Sequence, residues 1–229
     1  MQIQYSTGKG NRESNQDFIC INRLESGASF FLLADGMGGY EKGDEAARIV
    51  SENILTFLNH LESISEQNVQ QAVKKANLAI KQFNIKNNIK SGATIGGVIV
   101  DKNSSHVFWV GDVMVYQINK DEVLFQTKSH TLVNSLLESA SIKEQKSLER
   151  YHHIVTRSVS GKPSESNIGY HSVVFSQDDL FIICCDGVHN TISIEQIILF
   201  LNQKNGVQEL ESKFLKDISD IYSIITIGL

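Results

Sequence analysis

Apolar residues along the chain fall into short runs broken by polar and glycine-containing segments. Ten runs read as strands, at residues 3–6, 18–22, 29–34, 94–101, 106–110, 113–118, 123–127, 171–175, 179–185 and 221–227. They are rich in Ile, Val and Phe, and several lie only a few residues apart. Such spacing demands antiparallel hairpins, because a parallel crossover needs a dozen or more residues. Two helices interrupt the strands. From residue 44 to about 61, Ala47, Val50, Ile54, Phe57, Leu58 and Leu61 recur at intervals of three and four. From 66 to about 83 the stripe is Val69, Ala72, Val73, Ala76, Ala79, Ile80 and Phe83, with a capping-box pattern at Ser63 and Glu66. A third helix starts at Ser193 with Gln196 in the reciprocal capping position, and a fourth covers about 208–215. Residues 129–153 read as short helices and loop. The layout predicts an α+β fold: two antiparallel sheets with helices outside, a four-layer α-β-β-α sandwich.

Composition narrows the class. The 229 residues are 41% hydrophobic and 21% charged, which excludes a disordered chain. With 21 Lys+Arg against 26 Asp+Glu the net charge is −5, so the basic excess that nucleic acid selects is missing. No apolar run approaches the ~18 residues of a membrane span. The opening residues lack the apolar centre of a signal peptide, so the expected location is cytoplasmic. A single proline, Pro163, argues against a Pro-rich linker, and residues 1–229 are expected to form one domain. Cys20, Cys184 and Cys185 lie in apolar runs without CxxC spacing. They are expected to be buried core residues, not zinc ligands or disulfides.

The carboxylates change this picture. Of eleven aspartates, Asp17, Asp35, Asp112, Asp186 and Asp220 lie at the edges of apolar strands. Two occur in nearly the same setting, Leu32-Leu33-Ala34-Asp35-Gly36 and Ile183-Cys184-Cys185-Asp186-Gly187. One Asp-Gly pair can simply end a strand in a turn. Two matching copies plus Asp112 point elsewhere, because an ionised carboxylate leaving a buried strand is costly unless paired or metal-bound. Converging carboxylates repel unless cations neutralise them, and hard oxygen donors suit Mg²⁺ or Mn²⁺. These residues alone indicate metal-dependent phosphate chemistry and leave phosphatase, nuclease and cyclase open.

Taken in order, the segments resemble the PPM family, the metal-dependent serine/threonine phosphatases of the protein phosphatase 2C type. The resemblance rests on Arg12-Glu13-Ser14-Asn15-Gln16-Asp17, on Ala34-Asp35-Gly36-Met37-Gly38-Gly39 with Gly43 and Ala46-Ala47, and on Ser91-Gly92-Ala93-Thr94. Val110-Gly111-Asp112, His130, Thr156-Arg157, Cys185-Asp186-Gly187 and Asp220 continue it nearly to the end. It implies two ions bridged by Asp35 with help from the Gly36 carbonyl, with Asp186 and Asp220 completing one of them. It further implies that Asp17 holds metal-bound water and that Asp112, with Asp186, forms a third, weaker site. Arg12 would grip the substrate phosphate through its planar fork. The implied reaction is hydrolysis of phosphoserine or phosphothreonine in a protein by a hydroxide bridging two Mg²⁺ or Mn²⁺ ions, with no His at Met37 to act as acid. The implied partner is a phosphoprotein, with neither nucleic acid nor membrane, and the chain is expected to be a monomer.

Four positions depart from the family pattern: Val113-Met114 in place of Ser-Arg, Ile221 after Asp220, Ser129 before His130, and Ala140 in the flap-like segment at about 129–155. The first and second raise an alternative, a catalytically weak or inactive phosphoprotein-binding module. Asp217 rivals Asp220 as last ligand, but the strand begins directly after Asp220. His152-His153 and Lys74-Lys75 read as exposed, and Gly8-Lys9-Gly10 lacks the spacing of a phosphate-binding loop.

Overall fold

A computed structural model describes residues 1–37, 42–102, 104–138, 151, 154–203, 206–213, 215 and 218–229. Gly38, Gly39, Ala140, His152, His153 and Asp217, each singled out from the sequence, lie outside the described residues. The strands are β1 (Gln2–Gly8), β2 (Asp17–Arg23), β3 (Ser29–Gly36), β4 (Ala93–Val100), β5 (Ser105–Val110), β6 (Met114–Asn119), β7 (Glu122–Gln126), β8 (Gly169–Val173), β9 (Asp179–Cys184) and β10 (Tyr222–Gly228). The helices are α1 (Gly43–Asn59), α2 (Glu66–Asn87), α3 (Leu132–Glu138), α4 (Asp186–His189), α5 (Ile194–Leu201) and α6 (Gly206–Lys213). One sheet runs β1-β10-β9-β6-β7 and the other β2-β3-β4-β5-β8, with every pairing antiparallel.

The unbroken apolar run in β3 has a simple cause. Alternate side chains of a strand face opposite ways. Phe31 and Leu33 enter a core shared with Val115, Phe181, Ile183 and Ile225 of the other sheet. Phe30, Leu32 and Ala34 pack against Ala47, Val50 and Ile54 of α1 and Val73 and Ile80 of α2. Burial on both faces makes β3 apolar throughout, and each large side chain so buried contributes about 1.5–3 kcal/mol. On the far side, Ile197, Ile198 and Leu210 of α5 and α6 join the first core. The order helix, sheet, sheet, helix is the predicted α-β-β-α sandwich.

Element boundaries shift in places. The cap of α2 is Ser65, whose hydroxyl accepts from the Asn68 N–H at 3.3 Å, so the cap lies two residues beyond the expected Ser63 and is a single bond in place of the box. Ser193 and Gln196 do form a reciprocal capping box. The one-turn helix α4, directly after β9, has no apolar stripe to announce it. Lys74 and Lys75 are exposed as expected. Among the described residues no helix is long and apolar enough to cross a membrane.

Candidate active site

Strand register brings the aspartates to one end of the sandwich. Asp17 opens β2 and Asp35 nearly closes β3, and the antiparallel register sets them directly opposite each other. Asp35 is also opposite Thr94 of β4, while Ile95 is opposite Val110, so Gly111 and Asp112 leave β5 beside the same point. In the other sheet Cys184 is opposite Ile224, and the Cys185 N–H extends the ladder to the Ser223 carbonyl at 3.1 Å. Asp186 and Asp220 therefore emerge from neighbouring strands. Antiparallel pairing gathers the aspartates at one end of each sheet, and the packing of the two sheets on each other brings the two groups together.

Two glycines let these ends approach. A Cβ on Gly36 would stand 2.5 Å from the Gly43 carbonyl oxygen and 2.6 Å from that of Gln16. A Cβ on Gly187 would run into the Ile221 carbonyl oxygen. Side chains of any kind would push the Asp35 loop from the Asp17 strand, or Asp186 from Asp220.

The site is electrostatically uncomfortable on its own. Both oxygens of Asp17 are shut off from solvent and have no hydrogen-bond partner among the described residues. Burial pushes Asp17 up to about 6, with Asp186 adding to the shift, although Ser223, Cys185 and Asp35 pull it back in part. Burial and then the charges of Asp17, Asp186 and Asp112 hold Asp35 well above the usual carboxylate range. Burial and then Asp186 raise Asp112 to about 6. Among the described residues, Asp17, Asp35 and Cys185 each bring one donor atom to within 4.8 Å of the others. Buried carboxylates that repel one another, with both Asp17 oxygens lacking a hydrogen-bond partner among the described residues, fit a divalent cation or, without one, bound protons.

Arg12 and Asp220 meet at the rim. Arg12 Nε donates to Asp220 Oδ1 at 2.8 Å and Nη2 donates to Oδ2 at 3.1 Å. The turn before Arg12 is held by the Asn11 N–H to the Ser219 carbonyl at 2.9 Å. Arg12 holds the Asp220 carboxyl below its ordinary value. The two residues assigned by resemblance to phosphate and to metal thus occupy each other, whereas Asp17, Asp35, Asp112 and Asp186 share one electrostatic neighbourhood.

Supporting residues surround the aspartates; Thr7 and His189 were not singled out from the sequence, while Asn15, His130 and Arg157 entered there only as parts of motifs. The Ser223 and Thr7 hydroxyls pair at 2.7 Å, Asn15 Nδ2 donates to Thr7 Oγ1 at 2.7 Å, and Asn15 Oδ1 accepts from the Asp17 N–H at 3.0 Å. This chain ties β10 to the start of β2. His189 Nε2 lies 3.0 Å from the Asp112 main-chain oxygen, joining α4 to the β5–β6 turn. Its spacing of three from Asp186 was the only signal in the sequence. His130 Nδ1 accepts from the Gly111 N–H at 3.1 Å while Arg157 Nη1 stands 3.2 Å from Nε2. Burial and then Arg157 lower His130 to about 4. Of the cysteines, Cys184 and Cys185 are buried as expected but Cys20 is only half-buried, and the Cys185 sulfur lies among the carboxylates.

Comparison with known proteins agrees with this fold. The family model described as Protein phosphatase 2C matches residues 8–216. A "Putative protein phosphatase 2C-type" of Streptococcus pyogenes serotype M6 is 26% identical over 224 residues, covering 94% of this chain and 90% of the relative. The crystal structure of serine/threonine phosphatase Stp1 from Staphylococcus aureus superposes with a TM-score of 0.87 at 20% identity, covering 100% of this chain and 94% of that one. The catalytic domain of the serine threonine protein phosphatase PstP, solved with two manganese ions, gives a TM-score of 0.79 at 21% identity, with 98% and 96% covered. A family match over most of the length, on a sandwich whose strand ends gather these aspartates, establishes that the chain belongs to the protein phosphatase 2C family.

Proposed function

We infer that the protein is a metal-dependent phosphatase that removes phosphate from phosphoserine and phosphothreonine in a protein substrate. The observation that carries this reading is the Asp17–Asp35 pair, set face to face, with both buried Asp17 oxygens lacking a donor among the described residues. We assign Asp35, the Gly36 carbonyl, Asp186 and Asp220 to two Mg²⁺ or Mn²⁺ ions, Asp17 to the water around them, and Asp112 with Asp186 to a weaker third ion. When bound, such ions lower the pKa of water and neutralise charge on phosphoryl oxygens. Arg12 offers phosphate the planar two-donor fork that it now offers Asp220, and its exposed side chain can turn from one to the other. His189 and His130 hold the Asp112 turn from either side. Apolar strands behind the site exclude water, so charge in the cleft is weakly screened.

The binding-only alternative gains nothing from the departures that suggested it. Val113 is fully buried in the inter-sheet core with Met114 packed against it, and the Ile221 N–H donates to Asp220 Oδ1 at 2.9 Å. We further propose one phosphatase domain over residues 1–229 with a flap at 129–155, whose described base is closed by Leu132 N–H to Ile154 O at 2.8 Å and Thr156 N–H to His130 O at 2.8 Å. A monomer acting in cytoplasmic signalling completes the proposal.

Purified protein with Mn²⁺ is expected to hydrolyse a phosphothreonine peptide and to stop on adding EDTA. Asp35→Asn is expected to abolish turnover while raising the melting temperature of the metal-free protein, because a buried repulsive charge is gone. An active Asp35→Asn enzyme would overturn the assignment.

A further inference from the structure

The turn that carries Asp112 crosses from β5 of one sheet to β6 of the other, and the two residues after Asp112 have nothing to hold it with. Val113 is buried in the inter-sheet core and Met114 packs against that core, and neither side chain offers a donor. Gly111 sits at a φ of +101°, where a Cβ would also strike Thr94. The bonds that fix the turn come from distant parts of the chain. The His130 N–H donates to the Gly111 oxygen at 2.7 Å, and His130 Nδ1 accepts the Gly111 N–H at 3.1 Å. His189 takes the next residue. Its Nε2 lies 3.0 Å from the Asp112 main-chain oxygen, which can only accept, so Nε2 carries a proton and donates.

His189 belongs to the same helical turn as Asp186, three positions on, and such positions share a helix face. That turn is anchored: Val188 is fully buried, the His189 N–H donates to the Cys185 oxygen at 3.2 Å, and the Asn190 N–H donates to the Asp186 oxygen at 2.9 Å. The charge of Asp186 reaches the Asp112 carboxyl, so without a cation the two carboxylates repel and only a tether keeps them close.

We propose, on the reading of this cleft as a metal site, that His189 is a positioning residue: by tying the Asp112 carbonyl to the helix that begins with Asp186, it sets the spacing of the two carboxylates assigned to the weaker third ion. The ring acts on the main chain of Asp112 and leaves both carboxylates to the ion. Mg²⁺ demands near-ideal octahedral geometry, so drift of one carboxylate costs affinity. Because α4 is anchored to the core, loss of the tether releases the Asp112 turn and leaves Asp186 where it is.

Calorimetric titration of the full chain with Mn²⁺ tests this without turnover. The parent is expected to bind a tighter class of ions and a weaker one. His189→Ala is expected to weaken the weaker class by about tenfold or more and to leave the tighter class within about threefold. His189→Gln keeps an N–H at the reach of Nε2 and is expected to restore most of the loss, whereas His189→Asn, one methylene shorter, is not. Both are amides buried at one position, so a defect of packing alone would not separate them, and the pair keeps the test open should His189→Ala unfold. Circular dichroism and thermal melts follow the folding of each variant. An unchanged weaker class in His189→Ala, equal weakening of both classes, or His189→Gln no better than His189→Asn would each overturn the proposal. A parent that binds only the tighter class would overturn it too and leave the phosphatase reading standing. A parent silent towards Mn²⁺ and inactive on a phosphothreonine peptide removes that reading itself.

Discussion

Arg12 and Asp220 show how one ion pair can matter for activity and hardly at all for stability. Their side chains are 56% and 43% exposed, so water screens the pair and its contribution is at most about 1 kcal/mol. The same fork facing a phosphate dianion makes charge-assisted bonds worth about 1.5–3 kcal/mol. Arg12→Ala is therefore expected to leave the melting temperature within a few degrees while lowering kcat/KM roughly 10- to 100-fold. Arg12→Lys, which keeps charge but loses the fork, should recover only part of that loss. Steady-state kinetics on a phosphopeptide, read beside thermal melts, checks both halves. A large drop in stability without a kinetic change would mean that Arg12 serves Asp220 alone.

At the level of elements, the site consists of strand ends that must meet without side chains in between. Gly187, the second residue of α4, lies directly against Ile221 just before β10, and any Cβ there strikes main-chain carbonyl oxygen, which cannot rotate away. Gly187→Ala must move one strand end, and overpacking of this kind costs about 1–3 kcal/mol. It is expected to lower both the melting temperature and the Mn²⁺ affinity measured by calorimetry. A substitution that lowered stability and left Mn²⁺ binding intact would show that α4 does not position Asp186. The base of the segment after β7 is similarly built from backbone: Thr131 bridges Val155, and His130 joins it to Gly111. Asp112 is thus mechanically linked to that segment through its own preceding residue.

For the whole molecule, the raised carboxyls make metal-free stability depend on pH in an unusual direction. Asp17 and Asp112 hold their protons to about 6 in the folded state but release them near the ordinary 3.8 when unfolded. The native state therefore binds more protons in this window, and stability from these groups falls as pH rises from about 4 to about 6. The loss is on the order of 2–3 kcal/mol for each carboxyl. His130, lowered to about 4 from 6.5, acts oppositely: its contribution is present above 6.5 and is lost as pH falls towards 4. Comparing melts with and without Mn²⁺ at each pH cancels the histidine part. The Mn²⁺-induced rise in melting temperature is expected to be clearly larger at about pH 7.5 than at about pH 5, since cations relieve only ionised carboxylates. An equal rise at both would place the ions away from Asp17 and Asp112. Two divalent ions would also take the net charge of −5 to about −1, so most of the acid excess would belong to this cleft.

Local sequence determined the layers and the identity of the chemistry. Apolar runs buried on both faces, as in β3, and three-to-four stripes, as in α1, are read from neighbouring residues because burial of a strand or helix face is a periodic requirement. Aspartates ending such runs raise the expectation of a cation site for the same reason: a buried charge needs a partner wherever it lies. The structure alone decided which groups meet. Asp17 faces Asp35 because of one strand register, Arg12 grips Asp220 across 208 positions of chain, and His189 reaches the Asp112 carbonyl across 77. The cysteines show the same division: Cys184 and Cys185 are buried as their apolar runs require, and Cys20 is half-buried. An apolar run marks Cys185 as buried, but only the approach of β2 and β3 sets carboxylates beside its sulfur. Burial is encoded in the run of residues; proximity between distant segments is fixed by sheet pairing, which no single segment encodes.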